Sequence, residues 1–186
     1  MPAGSRTARP GVCAVALLLA LLPVCALGQM TANLPVTVDL QEVVSVAVAG
    51  TVSNLTLGAP TAAGGQPSVT DSNSYLRYTS TVASGRARSV TAALVATLPP
   101  TGTQLRLQAT APTGAGASGA VGTSAGTITL GTTDQSILTG IGGCRTGTAA
   151  GEGARLNYTF SVANWATLTA ATTRTVTVRL TLTDAL

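Results

Sequence analysis

Arg174–Asp184 reads RTVTVRLTLTD, and the alternation in this stretch decides the fold class. Val176, Val178, Leu180 and Leu182 fall on one side of an extended chain; Thr175, Thr177, Arg179, Thr181 and Thr183 fall on the other. A period of two with β-branched residues on both faces is the signature of a half-buried strand. The same pattern recurs upstream in LPVTVDL (Leu34–Leu40), VSVAV (Val44–Val48), TVSNLTL (Thr51–Leu57), YLRYTSTV (Tyr75–Val82) and SVTAALVATL (Ser89–Leu98). It continues in TQLRLQAT (Thr103–Thr110), GTITL (Gly126–Leu130), QSILTGI (Gln135–Ile141) and ARLNYTFSV (Ala154–Val162). ASGRAR, after Val82, reads as a hairpin loop in which Gly85 takes positive φ. Ala59–Asn73 and the Gly/Ala-rich APTGAGASGAVGTSA (Ala111–Ala125) read as loops, the second a mobile one with little to bury. Short strands punctuated by turns, with no lysine and little glutamate, predict an all-β, antiparallel immunoglobulin-like β-sandwich of about 8–10 strands.

The N-terminus reads differently. Arg6 and Arg9 precede VCAVALLLALL (Val12–Leu22), an apolar run shorter than the ~20 residues a membrane span needs. Ala26-Leu27-Gly28 is a small-x-small cleavage site before Gln29. The expected organisation is a signal peptide over residues 1–28 and one β-sandwich domain over residues 29–186. LPVC (Leu22–Cys25) resembles a lipobox, but Val24 stands where a small residue belongs. Export implies a secreted or outer-surface protein of a bacterium, or a periplasmic one, with no membrane attachment after cleavage.

Composition removes several chemistries. There is no histidine and no lysine, which excludes Ser-His-Asp and Cys-His catalysis, Ser-Lys dyads, Schiff bases and histidine metal ligands. The six acids show no spacing that suggests a carboxylate pair. TDSN (Thr70–Asn73) lacks the further ligands of a calcium loop and reads as an Asx-turn. After cleavage, eight scattered arginines face six acids, a balance that serves solubility and gives nucleic acid no basic patch. Asn54 and Asn157 match the glycosylation pattern but lie in strand-like segments. The expectation is no enzyme, no catalytic residue, no metal and no cofactor.

Cys144 is the one cysteine left once Cys13 and Cys25 leave with the signal. No base, second ligand or intradomain partner accompanies it. The favoured reading is a structural thiol, a small buried hydrophobe at a strand end near the Gly142-Gly143 bend; an intermolecular disulfide is the other. Among the few aromatics, Trp165, Tyr75 and Tyr78 are the candidates for a surface-binding face, with a core role for Trp165 if no such face forms.

Taken together, YLRYTSTV, SVTAALVATLPPTGTQLRLQA, GTITLGTTDQSILTGIGGCRTGT and LNYTFSVANWATLTAATTRTVTVRLTLTD resemble a group of uncharacterised exported bacterial immunoglobulin-like β-sandwich proteins. The resemblance spans Tyr75 to Asp184, implies a secreted sandwich without known activity, and carries over no functional residue. ANLPVTVDLQ and RTVTVRLTLTD are similar in general form to the termini of chaperone–usher-type fimbrial subunits. The chain departs from that pattern in having no intradomain cysteine pair and no near-terminal aromatic.

Three functions follow as expectations: a non-catalytic structural or adhesive surface protein able to self-assemble, a carbohydrate- or surface-binding module, and, least supported, a hydrolase. Its partners would be itself or other cell-surface proteins. The uninterrupted run LPVTVDLQEVVSVAV favours a monomer in which Gln29–Leu40 belongs to its own sheet; strand addition to a neighbour is the alternative. Intact mass of the exported protein is expected to match a chain beginning at Gln29, and a diacylated chain beginning at Cys25 would overturn this.

Overall fold

The computed structural model describes residues 35–169 and 173–184. The signal peptide, its cleavage site at Gly28 and Gln29, and the segment Gln29–Leu34 lie outside the described residues. Among the described residues there are nine strands: β1 Val44–Gly50, β2 Ser68–Ser80, β3 Arg88–Val95, β4 Thr103–Thr110, β5 Ser118–Ser124, β6 Thr127–Thr129, β7 Gln135–Arg145, β8 Ala154–Val162 and β9 Thr177–Asp184. Every pairing is antiparallel. The fold is all-β, as the alternation predicts.

The strand order is β6-β4-β8-β2-β7-β3-β9, with β1 also on β2 and β5 also on β7. β2 and β7 share only two residue pairs, Thr79–Arg145 and Ser80–Cys144. This short seam joins two branches, β6-β4-β8-β2-β1 and β5-β7-β3-β9. Their inner faces bury one core in a sandwich-like arrangement. Leu76, Tyr78, Leu107, Leu156 and Tyr158 come from one branch; Val90, Ala92, Ile137, Leu138 and Ile141 come from the other. Val176, Val178, Leu180 and Leu182 pack where alternation puts them, against this core.

Four local expectations are corrected. No strand forms over residues 35–40, whose Val36, Val38 and Leu40 are 74–84% exposed. β2 ends at Ser80, opposite Val44, so upstream residues run past the end of the strand that β1 pairs with. Thr51–Leu57 is not a strand either: Gly50 turns the chain at φ +82, and the Ser53 N–H goes to the Asp71 carboxylate instead of a ladder. Leu55 still packs on the core. The ASGRAR turn joins no hairpin, because β7 lies between β2 and β3. The segments read as loops contribute strand: Ser68–Asn73 opens β2, and Ser118–Ser124 is β5.

β5 pairs with β7 because its glycines allow it. Gly119 and Gly122 both have φ +83, and a Cβ on Gly119 would strike the Gly143 carbonyl oxygen. β7 itself runs through Gly142 and Gly143 to Arg145 without a bend that ends it. Gly126 also has positive φ, but a Cβ there meets nothing within 4 Å. Gly126→Ala is therefore expected to cost only backbone strain, about 1 kcal/mol. Gly119→Ala adds a backbone clash, and its urea midpoint should fall clearly further. Equal losses would mean that the close approach of β5 to β7 is not a constraint.

Candidate functional site

Among the described residues, the first and last strands of the chain, β1 and β9, are each paired on one side only. β1 pairs β2, and β9 pairs β3. Register places Val44, Val46 and Val48 opposite Ser80, Tyr78 and Leu76, so the valines share the inner face with fully buried residues. Yet these valines are 42–57% exposed. Between β1 and β9 lies a groove of about 190 Å³, lined by Val46, Ala47, Val48, Leu76, Val178 and Leu180. Its walls are two backbone edges with no ladder partner among the described residues, and its floor is apolar, the combination that accepts an extended peptide.

At one end of this groove sits Arg88, with only 8% of its side chain exposed. Nε donates to Asp184 at 2.7 Å and Nη2 to Glu42 at 3.0 Å. Nη1 donates to the carbonyls of Val43 and Thr81 at 3.3 and 3.1 Å and to the Ser80 hydroxyl at 3.3 Å. The residues entering β1 are tied further. The Thr81 hydroxyl donates to the Gln41 carbonyl, the Val43 N–H donates back to that hydroxyl, and the Ala83 N–H donates to Glu42. Glu42 and Asp184 thus come together around a buried guanidinium.

Two further carboxylates organise loops. Glu152 accepts the N–H groups of Ala149 and Gly116, and Arg77 donates to the carbonyls of Ala149 and Glu152. The Ala149 N–H holds the Glu152 carboxyl below its usual range. Asp71 accepts from the Asn73 N–H and amide and from the Ser53 N–H, the Asx-turn read in TDSN, here placed at a bulge inside β2. The Asn73 N–H is the main reason its carboxyl lies low, against an opposing effect of burial.

The aromatic candidates are not brought together. Tyr78 is buried on the inner face of β2, where its hydroxyl donates to the Val121 carbonyl and desolvation raises its ionisation. Tyr75 is half-buried on the outer face, opposite Arg155 at the start of β8. Trp165 lies past the far end of β8, in a 3-10 turn capped by Asn164, and is 60% exposed, so it is no core anchor. From Arg155 to Val162 the strand alone spans about 23 Å. Cys144 is half-buried between Ser80 of β2 and Gly119 of β5, and burial pushes its thiol up. A second hollow, about 370 Å³, is lined by Leu98–Leu105, Thr129, Leu130 and Arg174; Arg174 is its sole charged group. Among the described residues no group of His, Cys, Asp and Glu could hold a metal ion, and no helix is long and apolar enough to cross a membrane.

No family model, curated protein or solved structure matches this chain.

A pH dependence follows from Asp71. Its carboxyl ionises below the ordinary 3.8 in the fold, so its contribution is complete above that value and is lost as pH falls through the folded value. Asp71→Asn should be less stable than the parent at about pH 5, with the difference shrinking toward about pH 3. Urea midpoints that stay a constant distance apart across this range would contradict the assignment.

Proposed function

We propose that this chain is a non-catalytic, exported structural or adhesive protein of the immunoglobulin-like sandwich type. It assembles by strand addition at the cell surface. The groove between β1 and β9 of one copy takes the alternating segment Leu34–Leu40 of another. The observation that carries this reading is the inner valine row of β1, half exposed beside an open edge. A strand laid there would cover Val46, Val48, Val178 and Leu180 and place its own alternate side chains on the core. At about 25 cal/mol per Å² of apolar surface, this burial amounts to several kcal/mol.

Two features support an occupant from a second copy. Val36, Val38 and Leu40 alternate as a strand does, yet are exposed and unpaired. Gln41, Glu42 and Val43 are bonded to Thr81, Ala83 and Arg88, so the chain cannot reverse over its own β1 without breaking those bonds. This reading replaces the expectation of a self-contained monomer. A surface-binding role through the exposed Trp165 is the second reading, since a large aromatic at a loop tip is suited to such contacts.

Deleting residues 29–40 tests the proposal. The truncated protein is expected to stay folded and monomeric and to bind a synthetic peptide of that segment. Val38→Asp in the peptide should weaken binding by about tenfold or more, since it places a charge on the apolar floor. Electron microscopy of the exported chain should show filaments that the truncated chain does not form. A truncated protein that aggregates and binds no peptide would return the segment to its own sheet.

A further inference from the structure

We propose that Arg88 is the clasp of the β1–β9 groove, a positioning residue that holds both walls together at one end while the rest of the gap stays open. The inference rests on the strand-addition reading and names what controls that site. The five bonds of this guanidinium reach three elements beyond its own strand. Glu42 and Val43 lead into β1, Ser80 and Thr81 end β2, and Asp184 ends β9. Away from this point, among the described residues, no side-chain hydrogen bond or ion pair joins β1 to β9. Val44 and Leu182, the inner-face residues next to the clasp, do not line the groove; Val46, Val48, Val178 and Leu180, further along, do.

The chemistry suits a clasp. A planar guanidinium serves several acceptors at once in a fixed geometry, whereas a lysine ammonium cannot span them. The two carboxylates act on different walls, Glu42 on β1 and Asp184 on β9. Both are half exposed, with 51% and 60% of their side chains accessible, so an amide in place of either carboxylate keeps its own polar atoms in reach of water. Loss of the Glu42 charge leaves one donor of a buried cation poorly matched and frees the leading end of β1, which has only β2 to hold it. Loss of the Asp184 charge does the same for the trailing end of β9.

Hydrogen exchange on the unassembled exported chain tests this directly. In Glu42→Gln, amides of Val44–Gly50 should exchange about tenfold faster, with β4 and β8 unchanged. In Asp184→Asn the acceleration should move to Thr177–Asp184. Arg88→Lys should loosen both walls and speed dissociation of the segment peptide about fivefold or more. A uniform rise across all strands would make Arg88 a general stabiliser and overturn the proposal; so would unchanged walls in all three variants. If Arg88→Lys does not fold, the two carboxylate variants decide. If the parent binds no peptide, the strand-addition reading falls, while the wall-specific exchange still settles whether Arg88 is a clasp.

Discussion

A single buried cation organises this fold's open side. Arg88 lies on the inner face of β3, in register with Val90, Ala92 and Leu94, where a strand would ordinarily present an apolar residue. Burying a charge is tolerated only where paired groups and hydrogen bonds replace its hydration. Meeting that demand draws in the residues before β1, the end of β2 and the end of β9. The ladders explain how β1 stays on β2 and β9 on β3; among the described residues, the guanidinium is the side chain whose bonds reach both the entry to the first strand and the end of the last.

The consequence is a core with one thin wall. Elsewhere the two branches cover each other, and Leu76, Leu107, Ile137, Leu138, Ile141 and Leu156 are completely buried. Between β1 and β9 the same core is covered on one side only by half-exposed valines. Soluble proteins usually blunt such edges with charges, bulges or short strands. β9 carries Arg179, paired with Asp134 on the outer face, a modest guard for one edge. β1 carries no charge between Val44 and Gly50. The asymmetry makes β1 the more receptive of the two walls.

Much of this was legible in the sequence. Alternation located β4 and β8 to the residue and the inner face of β9, because those strands are half-buried in the plainest sense. It failed where backbone needs overrode side-chain pattern. Leu34–Leu40 alternates as well as any strand, yet its described part forms no strand. β5 was hidden because its residues are too small to show a period, and pairing there depends on glycine at positive φ. The candidate site was the least legible part, though a signal was present. Glu42, Arg88 and Asp184 each fall on the inward parity of their strand, in step with Val44, Val90 and Leu182. Three charges of complementary sign in step with core-facing positions announce an ionic cluster around one buried arginine, where scattered arginines alone suggest only solubility.

The glycine-built strand β5 is lightly held beside the thiol of β7. β5 adds backbone bonds to β7 but buries almost nothing of its own, so little free energy opposes its local detachment. Cys144 sits opposite Gly119. Lifting of that one light strand would bare the β7 edge at Cys144 while the rest of the domain stays folded.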